Sequence, residues 1–183
     1  MNTFFGLPAH PFLVHIPVVL LPLAAIGAVA MVARKTFNER YRWAVLTLGA
    51  IGTVGLVLAA GAGEKLEAKI ISIEGEEASA GWESHAQAGE LARLVGIVFF
   101  VALLAFIFVP IVLERRSARG ATAAKNLSAA AAPATSSRAG GSWIRPVLAG
   151  LVVVTACASV YTVVQAGHRG SSSVWAEVQN GGG

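Results

Sequence analysis

The chain has 183 residues, 55% apolar and 13% charged, with a mean hydropathy of +0.67, which excludes an ordinary soluble domain. Its formal net charge of +4 and its pI near 9.7 come from basic residues gathered in two connections, a distribution suited to anionic lipid and not to nucleic acid. A single cysteine, Cys157, excludes an internal disulfide, a cysteine ligand set and a covalent cofactor-attachment motif.

Four runs carry no Asp, Glu, Lys or Arg: Pro11 to Ala33, Trp43 to Gly63, Leu94 to Leu113 and Pro146 to Ala166. A helix of about 20 residues, rising 1.5 Å per residue, crosses a hydrocarbon core of roughly 30 Å. Lipid offers the backbone no hydrogen bonds, so each run is expected to be a transmembrane helix. No Lys or Arg precedes Arg34, so the first run lacks the charged start of a cleavable signal peptide and is expected to remain as a span.

Within the first run, Pro11 suits a helix start, whereas Pro17 and Pro22 remove backbone donors and predict a bend. In the second, Gly49, Gly52 and Gly55 recur at three-residue steps, a pattern of close helix packing. The connection after it opens with Glu64-Lys65-Leu66-Glu67-Ala68-Lys69-Ile70-Ile71, whose Leu66, Ile70 and Ile71 share one face. That piece is expected to lie along the membrane interface, followed by an acidic mobile loop from Ser72 to Gly81. The third helix is expected to begin near Ser84, with His85, Gly89, Ala92 and Gly96 on one stripe. Glu90 and Arg93 are three residues apart and can pair. Residues 117–142, rich in Ala, Ser and Gly, read as a flexible cytoplasmic linker, and Pro146 starts the fourth helix. Gly167 and Gly170 are expected to break that helix at the outer surface. Cys157 inside it reads as a small buried apolar residue. No internal sequence repeat is visible, although both halves follow the same path across the membrane.

Ten of the 14 Lys and Arg residues fall in the first and third connections, whereas the second holds Glu64, Glu67, Glu74, Glu76, Glu77 and Glu83. The excess of basic charge marks the cytoplasmic side. The fold expected is therefore all-α: a single polytopic membrane domain over 1–183, a four-helix bundle with both termini extracytoplasmic, in a bacterial-type cytoplasmic membrane.

This topology gathers all four histidines at one face of the bilayer. His10 and His15 open the first helix, His85 precedes the third span and His168 follows the fourth. His15 lies about 7 Å deeper than His10, where an imidazole is costly without a partner. That partner is either a cofactor or a neighbouring carbonyl, and the sequence leaves both open. His10 and His15 point about 140° apart on an ideal helix, so they do not chelate one ion as an i, i+4 pair would. Neutral imidazole ligates haem iron, copper and zinc, and no acidic residue accompanies these histidines inside the spans. The sharpest expectation is a b-type haem held by two helices, with His15 and His85 as first candidates. His10 and His168 would form a second pair or bond propionates, with Arg93 as an anion partner. A copper or zinc site made of the same imidazoles is the alternative, and no catalytic constellation is visible.

The opening Gly6-Leu7-Pro8-Ala9-His10-Pro11-Phe12-Leu13-Val14-His15-Ile16-Pro17-Val18 resembles the His-Pro-x-x-Val-His-Phe-Pro-Ile signature of the predicted membrane family called domain of unknown function 2231. The tail Gly167-His168-Arg169-Gly170-Ser171-Ser172-Ser173-Val174-Trp175 is similar to that family's His-x-Gly-Gly-x-Leu-Val-Tyr end, with Ser171, Ser173 and Trp175 as departures. His85 matches its histidine at the start of helix three. The resemblance implies a four-helix membrane domain. Relatives fused to Rieske iron–sulfur domains imply electron transfer near the outer face. The function expected is thus an electron-transfer subunit working with a quinone or an extracytoplasmic redox protein. The rival expectation is a non-catalytic accessory subunit of a larger membrane complex.

Overall fold

The computed structural model describes residues 3–4, 7–75, 82–128 and 143–180. Two short segments, β1 (Thr3–Phe4) and β2 (Leu7–Pro8), pair antiparallel with Thr3 opposite Pro8 and Phe4 opposite Leu7. The rest is helical: α1 (His10–Leu13), α2 (His15–Ala33), α3 (Lys35–Glu74), α4 (Glu83–Ser128) and α5 (Ile144–Asn180). Four helical stretches are long and apolar enough to cross a membrane: His10–Ala33, Lys35–Ile73, Glu83–Gly120 and Ile144–Ser172.

The first of these joins α1 to α2 through Val14, which keeps right-handed helical angles and donates its N–H to the His10 carbonyl at 3.1 Å. The interruption falls one turn before Pro17, whose missing N–H leaves the Leu13 carbonyl without its usual donor. Pro22 stays inside α2.

The four spans form a ring in which α2 and α4 each pack against both α3 and α5. Leu21, Phe99, Leu103 and Val152 are completely buried at its centre. Glycines set how closely the helices approach. A Cβ on Gly55 would lie 2.5 Å from Ile16, and one on Gly96 would lie 2.6 Å from Leu56. The glycine stripe of α3 is thus a packing seam, as its spacing suggests. On the outward faces, Ile26, Leu58, Val154 and Val164 are exposed, the arrangement of a bundle whose solvent is lipid.

The helices outrun their apolar cores. α3 has 40 residues, about 60 Å of helix against roughly 30 Å of hydrocarbon. Residues 64–74 therefore continue α3 and do not form a separate interfacial segment. Once nucleated, a helix extends at little cost through good formers such as this Glu-, Lys- and Ala-containing stretch. Gly75, at φ 87°, caps it by donating its N–H to the Ile71 carbonyl at 3.0 Å. Of the acidic loop expected from Ser72 to Gly81, Ser72, Ile73 and Glu74 are helical, Gly75 is the cap and 76–81 lie outside the described residues.

α4 runs to Ser128, so residues 117–128 of the expected linker are helical, and 129–142 lie outside the described residues. α5 does not break at Gly167 or Gly170 but continues to Asn180. There the Ser171 and Ser172 hydroxyls both donate to the His168 carbonyl at 2.9 Å. Cys157 is exposed on an outward face of α5, contrary to the buried position expected of it.

Candidate functional site

His10 enters from the start of α1 and donates from Nδ1 to the Ala59 carbonyl of α3 at 2.8 Å. His85, near the start of α4, donates from Nδ1 to the Ala166 carbonyl of α5 at 2.9 Å. Both carbonyls belong to helix interiors. Within a helix, the carbonyl of residue i points at residue i+4, so a side chain reaching it from outside must pass the Cβ of that residue. Four residues after Ala59 stands Gly63, and four after Ala166 stands Gly170. A Cβ on Gly63 would lie 3.1 Å from Nδ1 and Cε1 of His10; one on Gly170 would lie 2.8 Å from the same atoms of His85. Each half of the chain thus uses one device: a histidine, a helix carbonyl and a glycine one turn beyond. This structural repeat has no sequence counterpart beyond two five-residue Ala-x-x-x-Gly segments.

The two histidines meet. Their ring centres are 6.0 Å apart and their planes stand at 82°. A carbonyl only accepts, so Nδ1 carries the proton in each neutral ring and Nε2 keeps its lone pair. Pinning of Nδ1 on a carbonyl is the usual support of a metal-ligating histidine.

Both rings border a partly open cleft of about 250 Å³ between the turns of α3 and α4 at this end of the bundle. Ala60, Gly63, Ala86 and Gly89 give it width; Leu66, Ile70 and Trp82 make it apolar; Glu64, Glu67 and Glu90 add acidic groups. Nothing lies within 4 Å of a Cβ built on Gly89. The stripe from His85 to Gly96 therefore divides: its inner end packs helices, and its outer end leaves space.

Arg93 donates to Glu90 on its own helix at 2.7 Å and to Glu64 on α3 at 3.0 Å. The first pairing follows from the spacing; the second, which bridges α3 and α4, does not. With both arms of its fork on carboxylates, Arg93 is an interhelical tie. Arg169 adds another by donating to the Ser84 carbonyl at 3.3 Å.

His15 and His168 stand apart from this pair. His15 is exposed and bonds through Nδ1 to the Pro11 carbonyl of its own segment at 2.7 Å. His168 is also exposed, and neither residue lines the cleft. The histidine paired with His85 is His10, not His15. Among the described residues, no group of three or more His, Cys, Asp or Glu side chains is arranged to hold a metal ion.

These features define a four-helix membrane protein with a two-imidazole cleft at one end of its bundle. Residues 6–179 match the family model described as "Predicted membrane protein (DUF2231)", and the chain belongs to that family. No curated protein and no solved structure matches the chain.

Proposed function

We propose that this chain is an electron-transfer subunit that would hold a b-type haem at the histidine end of its bundle through His10 and His85. The reading rests on one observation: two imidazoles from different helices, each anchored through Nδ1, with ring centres 6.0 Å apart. Two imidazoles pinned through Nδ1, each with an Nε2 lone pair to offer, are a donor set that would suit the iron of a haem.

A bound haem supplies one-electron chemistry between ferrous and ferric iron. The chain's own part is orientation and environment. The Ala59 and Ala166 carbonyls hold the tautomer that offers Nε2, and their pull on Nδ1–H makes each imidazole a stronger donor. Gly89, Ala60 and Ala86 leave room beside the pair, while Leu66, Ile70 and Trp82 provide an apolar wall. Acidic residues at the cleft favour the more positive oxidised state of any metal held there.

The excess of Lys and Arg in the first and third connections supports an extracytoplasmic position for this end and for both termini, in a bacterial-type cytoplasmic membrane. The electron partner on that side would be a quinone, an extracytoplasmic redox protein or a larger membrane complex.

A second reading comes from the size of the cleft. At about 250 Å³ it is below the usual range for drug-sized ligands, about 300–1,000 Å³, which favours a smaller occupant such as a copper ion. Absorption spectra of protein purified from haem-replete cells decide between the two. A sharp α band on dithionite reduction is expected for haem. Stoichiometric copper without that band supports the second reading. Neither would leave the histidines as interhelical locks of an accessory subunit.

A further inference from the structure

The opposite end of the bundle carries an arginine whose buried nitrogen lacks a partner. Asn38 and Arg42 stand one turn apart on α3, in line with Val45 and Gly49. Val45 is buried against Gly27, and Gly49 faces Leu103 of α4, so the stripe points into the bundle. Nε of Arg42 and Oδ1 of Asn38 are both buried, and neither has a hydrogen-bond partner. No carboxylate pairs with Arg42 among the described residues: Glu39 pairs with Lys35 at 3.7 Å, and Glu114 is exposed.

The depth of this group is marked by its neighbour. Trp43 opens the apolar run, lies 5.7 Å from the Arg42 guanidinium carbon and packs edge-on against Phe108. Tryptophan at the end of an apolar run sits at headgroup level. Arg34, Arg40, Arg115, Arg116 and Arg145 belong to the same end, so its field is strongly positive.

A partly desolvated guanidinium without a carboxylate calls for an anion. The remaining nitrogens of its planar fork match the phosphate oxygens that phospholipid headgroups carry at this depth, while Asn38 stands one turn away beside the sealed Nε. We propose that Arg42 and Asn38 form a binding site for the phosphate of an anionic phospholipid at the basic end of the bundle. This site is independent of the histidine cleft.

The test compares full-length wild type with Arg42→Gln and Arg40→Gln, purified and reconstituted with phosphatidylcholine containing phosphatidylglycerol. Arg40 is exposed, so its variant removes the same charge from the belt without touching the site. Retained phosphatidylglycerol is counted by native mass spectrometry. Loss of one diffuse surface charge weakens lipid affinity by about fivefold. Arg42→Gln is expected to weaken it by at least about tenfold, and Arg40→Gln by no more than that diffuse effect. Arg42→Lys, which keeps the charge but loses the fork, is expected to fall between them; it also serves if the glutamine variant does not fold. Equal losses in the Arg42 and Arg40 variants, or no loss in either, would overturn the site. Displacement of the wild-type lipid by excess inorganic phosphate would identify soluble phosphate as the ligand and overturn the lipid assignment.

Discussion

His85 and Gly170 are in contact so close that a methyl group on the glycine would stand 2.8 Å from two atoms of the imidazole ring. The contact exists because the ring slides past that position to reach the Ala166 carbonyl. His10 does the same past Gly63, with slightly more room at 3.1 Å.

Replacing these glycines should separate packing from propensity. Glycine to alanine inside a helix gains about 1 kcal/mol of propensity, and overpacking costs about 1–3 kcal/mol. Gly170→Ala is expected to give a net loss of about 1 kcal/mol and to displace His85. Gly63→Ala should come out nearer to neutral. Gly61→Ala, where nothing lies within 4 Å, should stabilise. Thermal unfolding in detergent checks the order; a Gly170→Ala protein as stable as Gly61→Ala would show that the imidazole does not occupy this seat.

The histidines should divide two against two. His10→Ala and His85→Ala are expected to lose the cofactor while still accumulating in the membrane, since the apolar spans are untouched. His15→Ala and His168→Ala should retain it. Cofactor content per mole of protein is the readout, and loss in His15→Ala equal to that in His10→Ala would contradict the division.

Arg93→Ala is expected to weaken the tie between α3 and α4 without removing the cofactor, because both arms of the guanidinium already hold carboxylates. Its two carboxylate partners are exposed, so the loss of stability should be small and should shrink as salt is raised. Loss of cofactor in this variant at normal protein yield would instead assign Arg93 to the site.

Orientation is tested by labelling with an impermeant thiol reagent in a Cys157→Ala background. Ser72→Cys, at the acidic end of α3, is expected to label in intact cells; Ser117→Cys, beyond the uncharged run of α4 that ends at Leu113, only after lysis. The reverse pattern would put the histidine end in the cytoplasm.

The spans were legible because lipid enforces them: a run of about 20 uncharged residues has no other stable form in a bilayer. So were the start of α4 beside His85 and the packing role of Gly49, Gly52 and Gly55. The partners of the histidines were not. His10 and Ala59 are 49 residues apart, and His85 and Ala166 are 81 apart, so nothing local connects them. Local propensity alone makes Gly170 a helix breaker; the ring that packs on it comes from 85 residues earlier in the chain. Depth alone does not show that the Pro11 carbonyl of its own segment meets the need of His15 for a partner. The extensions of α3, α4 and α5 were missed because hydropathy reports where lipid is, not where a helix stops.

Substitution with chemical rescue tests most directly whether His10 and His85 jointly ligate one haem. His85→Gly, expressed in haem-replete cells, is expected to lose the low-spin reduced α band and to regain it when free imidazole is added, with His10→Gly behaving alike. A full, unshifted low-spin spectrum in either variant before imidazole is added, or wild-type protein that carries no haem, would contradict joint ligation.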